Sequence, residues 1–262
     1  MENLDELQNK HDDLIKQRIE LEKKLYKKKY PNENFPMPEI VASLNFYKDA
    51  ISTYKDFNYP DDYIKNLNKK NWKSTVALTI NNFNLAYTPK IIINEFLWRE
   101  DTILHELTHV SDYYDYCKRH NYLNLTFLEL LDLEDFICIY LFSEFRAFYR
   151  GALYSSEDLK VQLEYETKEF NNNQVKAIDM QDLEAYYYHS IRYIGFYCAY
   201  IEKNASKYEI DYILQRNDSN IIHTLIKFFY PLREKDFCEL ETYITEFKSI
   251  LDNMVDPSWR LL

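Results

Sequence analysis

The predicted fold and function of this chain rest on the stretch Thr102-Ile-Leu-His-Glu-Leu-Thr-His-Val-Ser-Asp112. It contains the pattern His-Glu-x-x-His, in which His105 and His109 are separated by one helical turn. On an α-helix, positions i and i+4 lie about 40° apart around the axis, so both imidazoles project from the same face. Two neutral imidazoles held in this way suit Zn²⁺, and Glu106 between them is placed to act as a general base. The pattern therefore predicts a metal site carried by a helix.

The surrounding residues favour that helix. Asp101 is expected to cap its start. His105, His109 and Asp112 share one face, and an apolar stripe runs along the opposite face. We therefore expect one side to pack on a core and the other to line a cleft; the alternative is a surface helix whose histidines bind nothing. The apolar stripe consists of Ile103, Leu107, Val110 and Tyr114.

A catalytic zinc site usually has three protein ligands, and Glu144 is the candidate for the third. It lies in Ser143-Glu-Phe-Arg-Ala-Phe148, within a predicted helix over residues 127–150 that is expected to end at Gly151. Apolar residues surround Glu144 on its helical face, where an ionised carboxylate is costly unless it is paired or bound to a cation. Pairing with an arginine is the alternative to a metal. Asp112 has two interpretations as well: it orients a ligand imidazole, which we favour, or it is itself the third ligand.

These motifs together resemble those of gluzincin-type zinc metallopeptidases. The pairing of His-Glu-Leu-x-His-x-x-Asp with Ser-Glu-x-Arg-Ala is similar to that of the Atp23-like peptidases, and the ImmA/IrrE-like peptidases share a looser version. The resemblance covers residues 100–152 and implies that His105, His109 and Glu144 are zinc ligands, with Glu106 as general base. Asp112 matches the aspartate that follows the second histidine in the family. The C-terminal third has no counterpart, so the resemblance implies no particular substrate.

The expected fold class is α+β and mostly α-helical, with a zincin-like core that has a small β-sheet before the motif helix. β-branched runs at 74–80 and 90–93, separated by the loop Asn81-Asn-Phe-Asn84, predict its strands. In zincins such a sheet edge aligns the peptide substrate. A helix is expected over 38–57, and Asn171-Asn-Asn173 is expected to break the helical C-terminal part. Its predicted helices cover 155–171, 180–204, 219–229 (starting at Ser219) and 233–254.

Three regions are expected within one continuous globular unit: an N-terminal amphipathic helix (1–30), a zincin-like catalytic region (31–154) and a helical C-terminal region (155–262). In the first region, leucines at heptad-like spacing predict packing on the body of the protein or weak dimerisation through residues 2–29. The protein is accordingly expected to be a monomer or a weak dimer. Five lysines near the end of this helix are interpreted as a solvated helix end, with contact to a membrane or a nucleic acid as the less favoured alternative. They are Lys23, Lys24, Lys27, Lys28 and Lys29.

The composition of the chain restricts the binding partners and the cellular location that we expect for the protein. The 262-residue chain has a formal net charge of −11, which argues against general nucleic-acid binding. Its 4 cysteines are scattered without a Cys-x-x-Cys pair, so reduced and mostly buried thiols are expected. The N-terminus is too acidic and polar for a secretory signal, and no apolar run reaches the roughly 18 residues of a membrane span. A cytoplasmic protein is expected, although export without a signal peptide would leave no trace in this sequence.

A second cluster, His189 and Tyr193 with Arg192, falls on one predicted helix. Such residues stabilise the oxyanion in some zinc peptidases, but packing of an aromatic, amphipathic helix is the favoured interpretation. The expected function is that of a zinc metalloendopeptidase acting on a specific protein or peptide substrate. The alternatives are a non-enzymatic zincin-like binding or regulatory protein of phage or mobile-element type, and a helical interaction protein with a fortuitous motif. The presence of Glu106 favours the enzyme, because a structural zinc site needs no base.

Overall fold

The computed structural model describes residues 4–67, 72, 75–80, 88–215 and 221–254. Within them the protein is mostly α-helical with a small three-stranded sheet, which confirms the predicted α+β class. The chain divides into two compact units, residues 1–129 and 130–262. Three positions to which the sequence assigned structure lie outside the described residues: Ser74, the loop 81–84 and Ser219.

The first unit begins with a long helix and contains the whole sheet. A further short helix, α5 (Phe127–Leu131), lies at the division between the units. In chain order the elements of the first unit are α1 (Leu4–Lys29), β1 (Glu39–Ser43), α2 (Phe46–Asp56), α3 (Asp61–Leu67), β2 (Ala77–Ile80), β3 (Lys90–Asn94) and α4 (Thr102–Arg119).

The sheet has the order β1-β3-β2, with β3 parallel to β1 and antiparallel to β2. The central strand carries Ile91, Ile92 and Ile93, all fully buried. Such a continuous apolar run is typical of a strand covered on both faces. Ile92 belongs to the core formed with α2, and Thr79, on the opposite face of the sheet, contacts α4. The sheet therefore lies between α2 and α4, and β2 is one of its edges.

Helix α1 packs against α4 and the segment before it. Ile19 and Tyr26 are its buried residues, and the guanidinium of Arg18 lies 4.3 Å from the ring centre of Trp98. Helix α1 therefore packs on the rest of the first unit, which is one of the two outcomes expected for it; the other was weak dimerisation. The histidine at position 11 is exposed, with its Nδ1 3.5 Å from a carboxylate oxygen of Glu95.

The expected helix over 38–57 is wrong in its first part. Residues 39–43 form β1, paired in register with β3, and α2 begins only at Phe46. Ile40 and Val41 are β-branched and favour a strand, and their partners on β3 lie some fifty residues along the chain. The hydroxyl of Ser43 donates to the carboxylate of Asp49 at 2.5 Å, which links the end of the strand to the start of the helix.

In the described residues of the second unit, the regular elements are α-helices and one short 3-10 turn. Helices α6 and α7 both pack on α8, α10 packs there too, and α12 packs on α6. A single 3-10 turn, Glu241–Tyr243, separates the last two helices. The elements are α6 (Phe136–Tyr154), α7 (Leu159–Met180), α8 (Leu183–Asn204), α9 (Lys207–Gln215), α10 (Ile221–Leu232), α11 (Phe237–Leu240) and α12 (Ile244–Met254).

The close crossing of α6 and α8 depends on Gly195. A Cβ built at this position would lie 2.7 Å from the Cβ of Phe148 and 3.1 Å from the backbone nitrogen of Tyr149. Both neighbours are fixed parts of α6, so a side chain could be accommodated only by moving the helices apart. Glycine at this position therefore sets the distance between the two helices.

Helix boundaries in the second unit differ from those predicted. The helix expected over 127–150 is divided into α5 and α6, and Gly151 lies inside α6, which continues to Tyr154. The expected break at residues 171–173 is also wrong, because this asparagine run lies within α7. The break falls instead at Gln181, which has a left-handed φ of 54°, followed by Asp182, whose side chain accepts from the backbone N–H of Ala185 and caps α8.

The cysteines match the prediction of free, mostly buried thiols. Cys117, Cys138 and Cys198 are buried, Cys238 is exposed, and all are free. Burial raises the pKa of Cys117 and of Cys138 to about 12, and it raises that of Cys198 further. Among the described helices, none combines the length and the apolar character needed to cross a membrane.

Candidate metal centre

Helix α4 holds the motif histidines. Its N-terminal residue Thr102 follows Asp101, which occupies the expected capping position, but the Asp101 side chain makes no capping hydrogen bond. The carboxylate of Asp101 lies 3.7 Å from Nε of Arg99 instead. The helix is buried along most of its circumference, including residues on the face that was expected to line a cleft. It is consequently an internal helix, and its site side chains are largely shielded from solvent.

The two histidines converge on one point. Nε2 of His105 and Nε2 of His109 are 3.1 Å apart, and the rings are nearly perpendicular. Two nitrogens bound to one tetrahedral Zn²⁺ at about 2.0–2.1 Å would be about 3.4 Å apart, close to the observed separation. The same distance also permits a hydrogen bond between two neutral imidazoles of opposite tautomer. The pair therefore has the geometry of two ligands of one ion.

His109 is in the form that binds metals. It is buried and stacks on Tyr113, with ring centres 5.8 Å apart and planes inclined by 8°. Burial lowers the pKa of His109 to about 3, so the ring is neutral at physiological pH. A neutral imidazole keeps a lone pair for a cation.

Glu106 is held between the helix and the sheet. It is only 8 % exposed, and one carboxylate oxygen accepts a hydrogen bond from the hydroxyl of Thr79 on β2. Burial raises the pKa of Glu106 to about 7, while hydrogen bonds from the hydroxyl and the backbone N–H of Thr79 lower it. A carboxyl group that titrates near neutrality can both accept and donate a proton at physiological pH. The sequence reasoning had not singled out Thr79.

Glu144 comes from α6, where it is 7 % exposed. With His105 and His109 it makes up a His/His/Glu group that could hold a metal ion. These residues are the three ligands predicted from the sequence, and their role as zinc ligands stays a prediction. The neighbouring Arg146 donates through Nη1 to the carbonyl oxygen of Lys235 at 2.7 Å.

Asp112 lies one turn after His109 on α4 and is 1 % exposed. Both roles considered for it, orienting an imidazole and serving as a ligand, stay predictions.

His189 and Tyr193 lie on the side of α8 that faces α7. Tyr193 stacks on Phe170, with ring centres 4.8 Å apart, and Arg192 on the same face forms two 2.7 Å hydrogen bonds with the carboxylate of Glu166. Burial is the main cause that lowers the pKa of His189, and the charge of Arg192 adds to it. These contacts support the packing interpretation, and the oxyanion role stays a prediction. Both residues line a shallow cleft with Glu166, Glu169, Phe170, Asn173 and Arg192.

The chain was compared with protein-family models, curated proteins and solved structures. No protein-family model matches the chain, and neither a curated protein nor a solved structure does.

Proposed function

We propose that this protein is a zinc-dependent metallopeptidase with a zincin-like core that hydrolyses peptide bonds in a specific protein substrate. The observation that carries the proposal is the pair His105 and His109, whose Nε2 atoms lie 3.1 Å apart on one turn of α4, as part of a His/His/Glu group with Glu144 that could hold a metal ion. Two imidazoles and one carboxylate form a donor set used by catalytic zinc sites, in which a further position stays open for water or substrate. Glu106, from the same turn of α4, is the expected general base.

When bound, Zn²⁺ would act as a Lewis acid on the scissile carbonyl and make water a better nucleophile at neutral pH. Glu106 takes a proton from the attacking water as oxygen adds to the carbonyl carbon. It then delivers that proton to the amide nitrogen as the C–N bond breaks, which leaves a carboxylic acid and an amine. A carboxyl group whose pKa burial raises to about 7 suits both transfers.

The sheet edge supplies a means of holding the substrate. β2 pairs with β3 on one side and is an edge of the sheet on the other. An extended peptide can add to such an edge through main-chain hydrogen bonds. Because Thr79 belongs to β2 and contacts Glu106, a peptide lying along this edge would pass close to the general base.

The first experiment measures zinc per chain in protein purified without added metal, with Glu144→Ala beside the parent. Glu164→Ala is the matched control, since this residue is exposed on α7. We expect about one zinc in the parent and in the control, and much weaker retention in Glu144→Ala. Absence of zinc from the parent after careful reconstitution would contradict the proposal.

A second experiment separates an enzyme from a zincin-like binding protein. Glu106→Gln keeps the shape of the side chain but removes its capacity to accept a proton. In a peptide library digested by the parent and monitored by mass spectrometry, this variant should retain zinc and lose cleavage. Undiminished cleavage would refute the role of Glu106. If the parent holds zinc but cleaves no peptide, and its biological effect survives Glu106→Gln, the binding-protein alternative is supported.

A further inference from the structure

Four leucines form an exposed face on α1. Leu7, Leu14, Leu21 and Leu25 are 47 %, 64 %, 56 % and 40 % exposed. At about 100° per residue they fall within an arc of about 40°, and the first and last are separated by about 27 Å along the axis. We call this set the leucine face. A row of large aliphatic side chains in water is costly and usually indicates a surface that binds something.

The leucine face is not the one by which α1 packs on the rest of the first unit. Ile19 and Tyr26 are buried in that contact, and they lie about 120° around the axis from the leucines. The long helix thus has two apolar faces, one covered by the protein and one open. The open face is accessible along several turns.

Charged side chains are distributed unevenly around this face. Lys10, Lys24 and Lys28 flank it on one side and Arg18 on the other, all within about 90° of its centre. Lys24 and Lys28 are exposed and form no ion pair within the described residues. Glu6 lies on the same side of the helix as Lys24, but at the N-terminal end of α1, whereas Lys24 is near the C-terminal end. The other exposed carboxylates of α1 point away from the leucines by more than about 100°; they are Asp12, Asp13 and Glu20.

This charge pattern distinguishes between two possible partners of the leucine face, a second copy of α1 and a lipid surface. In an antiparallel pair of α1 helices, Lys10 of one copy would lie near Lys24 of the other, and in a parallel pair the two Arg18 side chains would approach each other. Like charges at these positions oppose self-association. An anionic lipid surface instead complements the flanking lysines, whose aliphatic stems can extend past the leucines to reach phosphate groups, whereas Arg18 is held by Glu22 and Trp98.

We propose that α1 binds the surface of membranes containing anionic phospholipids, with the leucine face inserted at the level of the headgroups and the helix lying in the membrane plane. A helix with leucines on one face and flanking lysines is typical of such interfacial binding, which requires no membrane-spanning segment. The proposal rests on the first unit alone and is independent of the metal centre.

The test uses the full chain and two kinds of vesicle, phosphatidylcholine alone and phosphatidylcholine with phosphatidylserine. Co-sedimentation should detect binding to the phosphatidylserine vesicles, and binding should weaken as salt is raised. Leu14→Glu combined with Leu21→Glu should reduce binding at least tenfold, and so should Lys24→Glu combined with Lys28→Glu. The matched controls are Leu44→Glu, at another exposed leucine, and Lys55→Glu combined with Lys203→Glu, which makes the same change in net charge.

Far-UV circular dichroism checks that each variant is folded. Equal binding of the parent to both kinds of vesicle, or no binding to either, would overturn the proposal. A change in sedimentation velocity of the leucine variant, without vesicle binding by the parent, would overturn it as well and assign the leucine face to contact between two copies. Loss of binding in the control variants to the same degree would show that the leucine face is not the binding surface.

Discussion

Thr79, on the edge strand β2, donates its hydroxyl to the carboxylate of Glu106 on α4. The backbone N–H of Thr79 also favours the ionised carboxylate, because it lowers the pKa of Glu106 against the effect of burial. Because Glu106 is buried, these donors replace the water that would otherwise solvate its charge. The contact joins the sheet to the helix that carries the histidines.

Replacing Thr79 with valine keeps the side-chain shape and removes the hydroxyl donor. We expect the free energy of unfolding to fall by about 1–3 kcal/mol, as is typical when a buried charged group loses a hydrogen bond. Thr79→Ser retains the donor and should cost clearly less. Urea unfolding at a slightly alkaline pH, where Glu106 is ionised, measures both losses. Equal losses in the two variants would indicate that the hydroxyl contributes little.

Zinc should stabilise the folded protein, because the Nε2 atoms of His105 and His109 are held 3.1 Å apart only while α4 is folded. At a free zinc concentration of about 100 times Kd, the gain in unfolding free energy is about 2.7 kcal/mol. Thermal unfolding with zinc and with a chelator measures this gain. His109→Ala should abolish it, whereas His11→Ala, which removes an exposed histidine, should leave it intact. A gain that survives in His109→Ala would indicate that zinc binds elsewhere.

Gly195→Ala should destabilise the protein by about 1–3 kcal/mol, since the added methyl would lie 2.7 Å from Cβ of Phe148 and the helices must separate. Helix propensity alone predicts the opposite sign, because alanine favours a helix by about 1 kcal/mol over glycine. Asn172→Ala, at an exposed position inside α7, shows the propensity effect without a clash and should be neutral or stabilising. Denaturant unfolding compares the two. A stabilised Gly195→Ala would show that the crossing has room for a methyl group.

Glu22 should make stability depend on pH. Burial raises the pKa of Glu22 from 4.5 to about 7, against the lowering effect of its hydrogen bond with Arg18. The folded protein therefore holds this proton more tightly than the unfolded chain, so the stabilisation is complete below about pH 4.5 and is lost as the pH rises through about 7. Glu22→Gln should remove this loss, which we expect to be about 1 kcal/mol because solvent partly screens the group.

Unfolding free energies measured at about pH 5 and pH 8 in the parent and in Glu22→Gln isolate this contribution from that of Glu106, which both proteins share. Glu20→Gln, on the exposed side of the same helix, is the control. If the pH dependence of Glu22→Gln equals that of the parent, Glu22 is not its source.

The spacing of the two motif histidines along the sequence was sufficient to predict that their side chains lie together. His105 and His109 are one turn apart on the same helix, so their convergence follows from helical geometry alone. Glu144 was named as the third ligand because a carboxylate among apolar residues of a predicted helix needs a cation or a partner, and that role stays a prediction. The structure does bury Glu144 on α6.

Contacts between distant segments were not predictable in this way. β1 pairs with β3 across some fifty residues, and nothing near Ile40 in the sequence indicates that partner. Thr79 was missed because its role depends on the sheet being placed against α4. The asparagine run at 171–173 was misread as a break, since asparagine is a poor helix former, but packing of α7 on α8 outweighs a small propensity cost.

The four cysteines of the native chain are labelling sites that differ in exposure. Cys238 is exposed and should react with a maleimide at once, whereas Cys117, Cys138 and Cys198 are buried with raised pKa values and should react only when their surroundings open. Cys117 lies on the motif helix and Cys198 on α8, so the labelling rate at each cysteine reports the opening of a different helix. Mass spectrometry of the labelled chain could follow these openings, with and without zinc, in the unmutated protein.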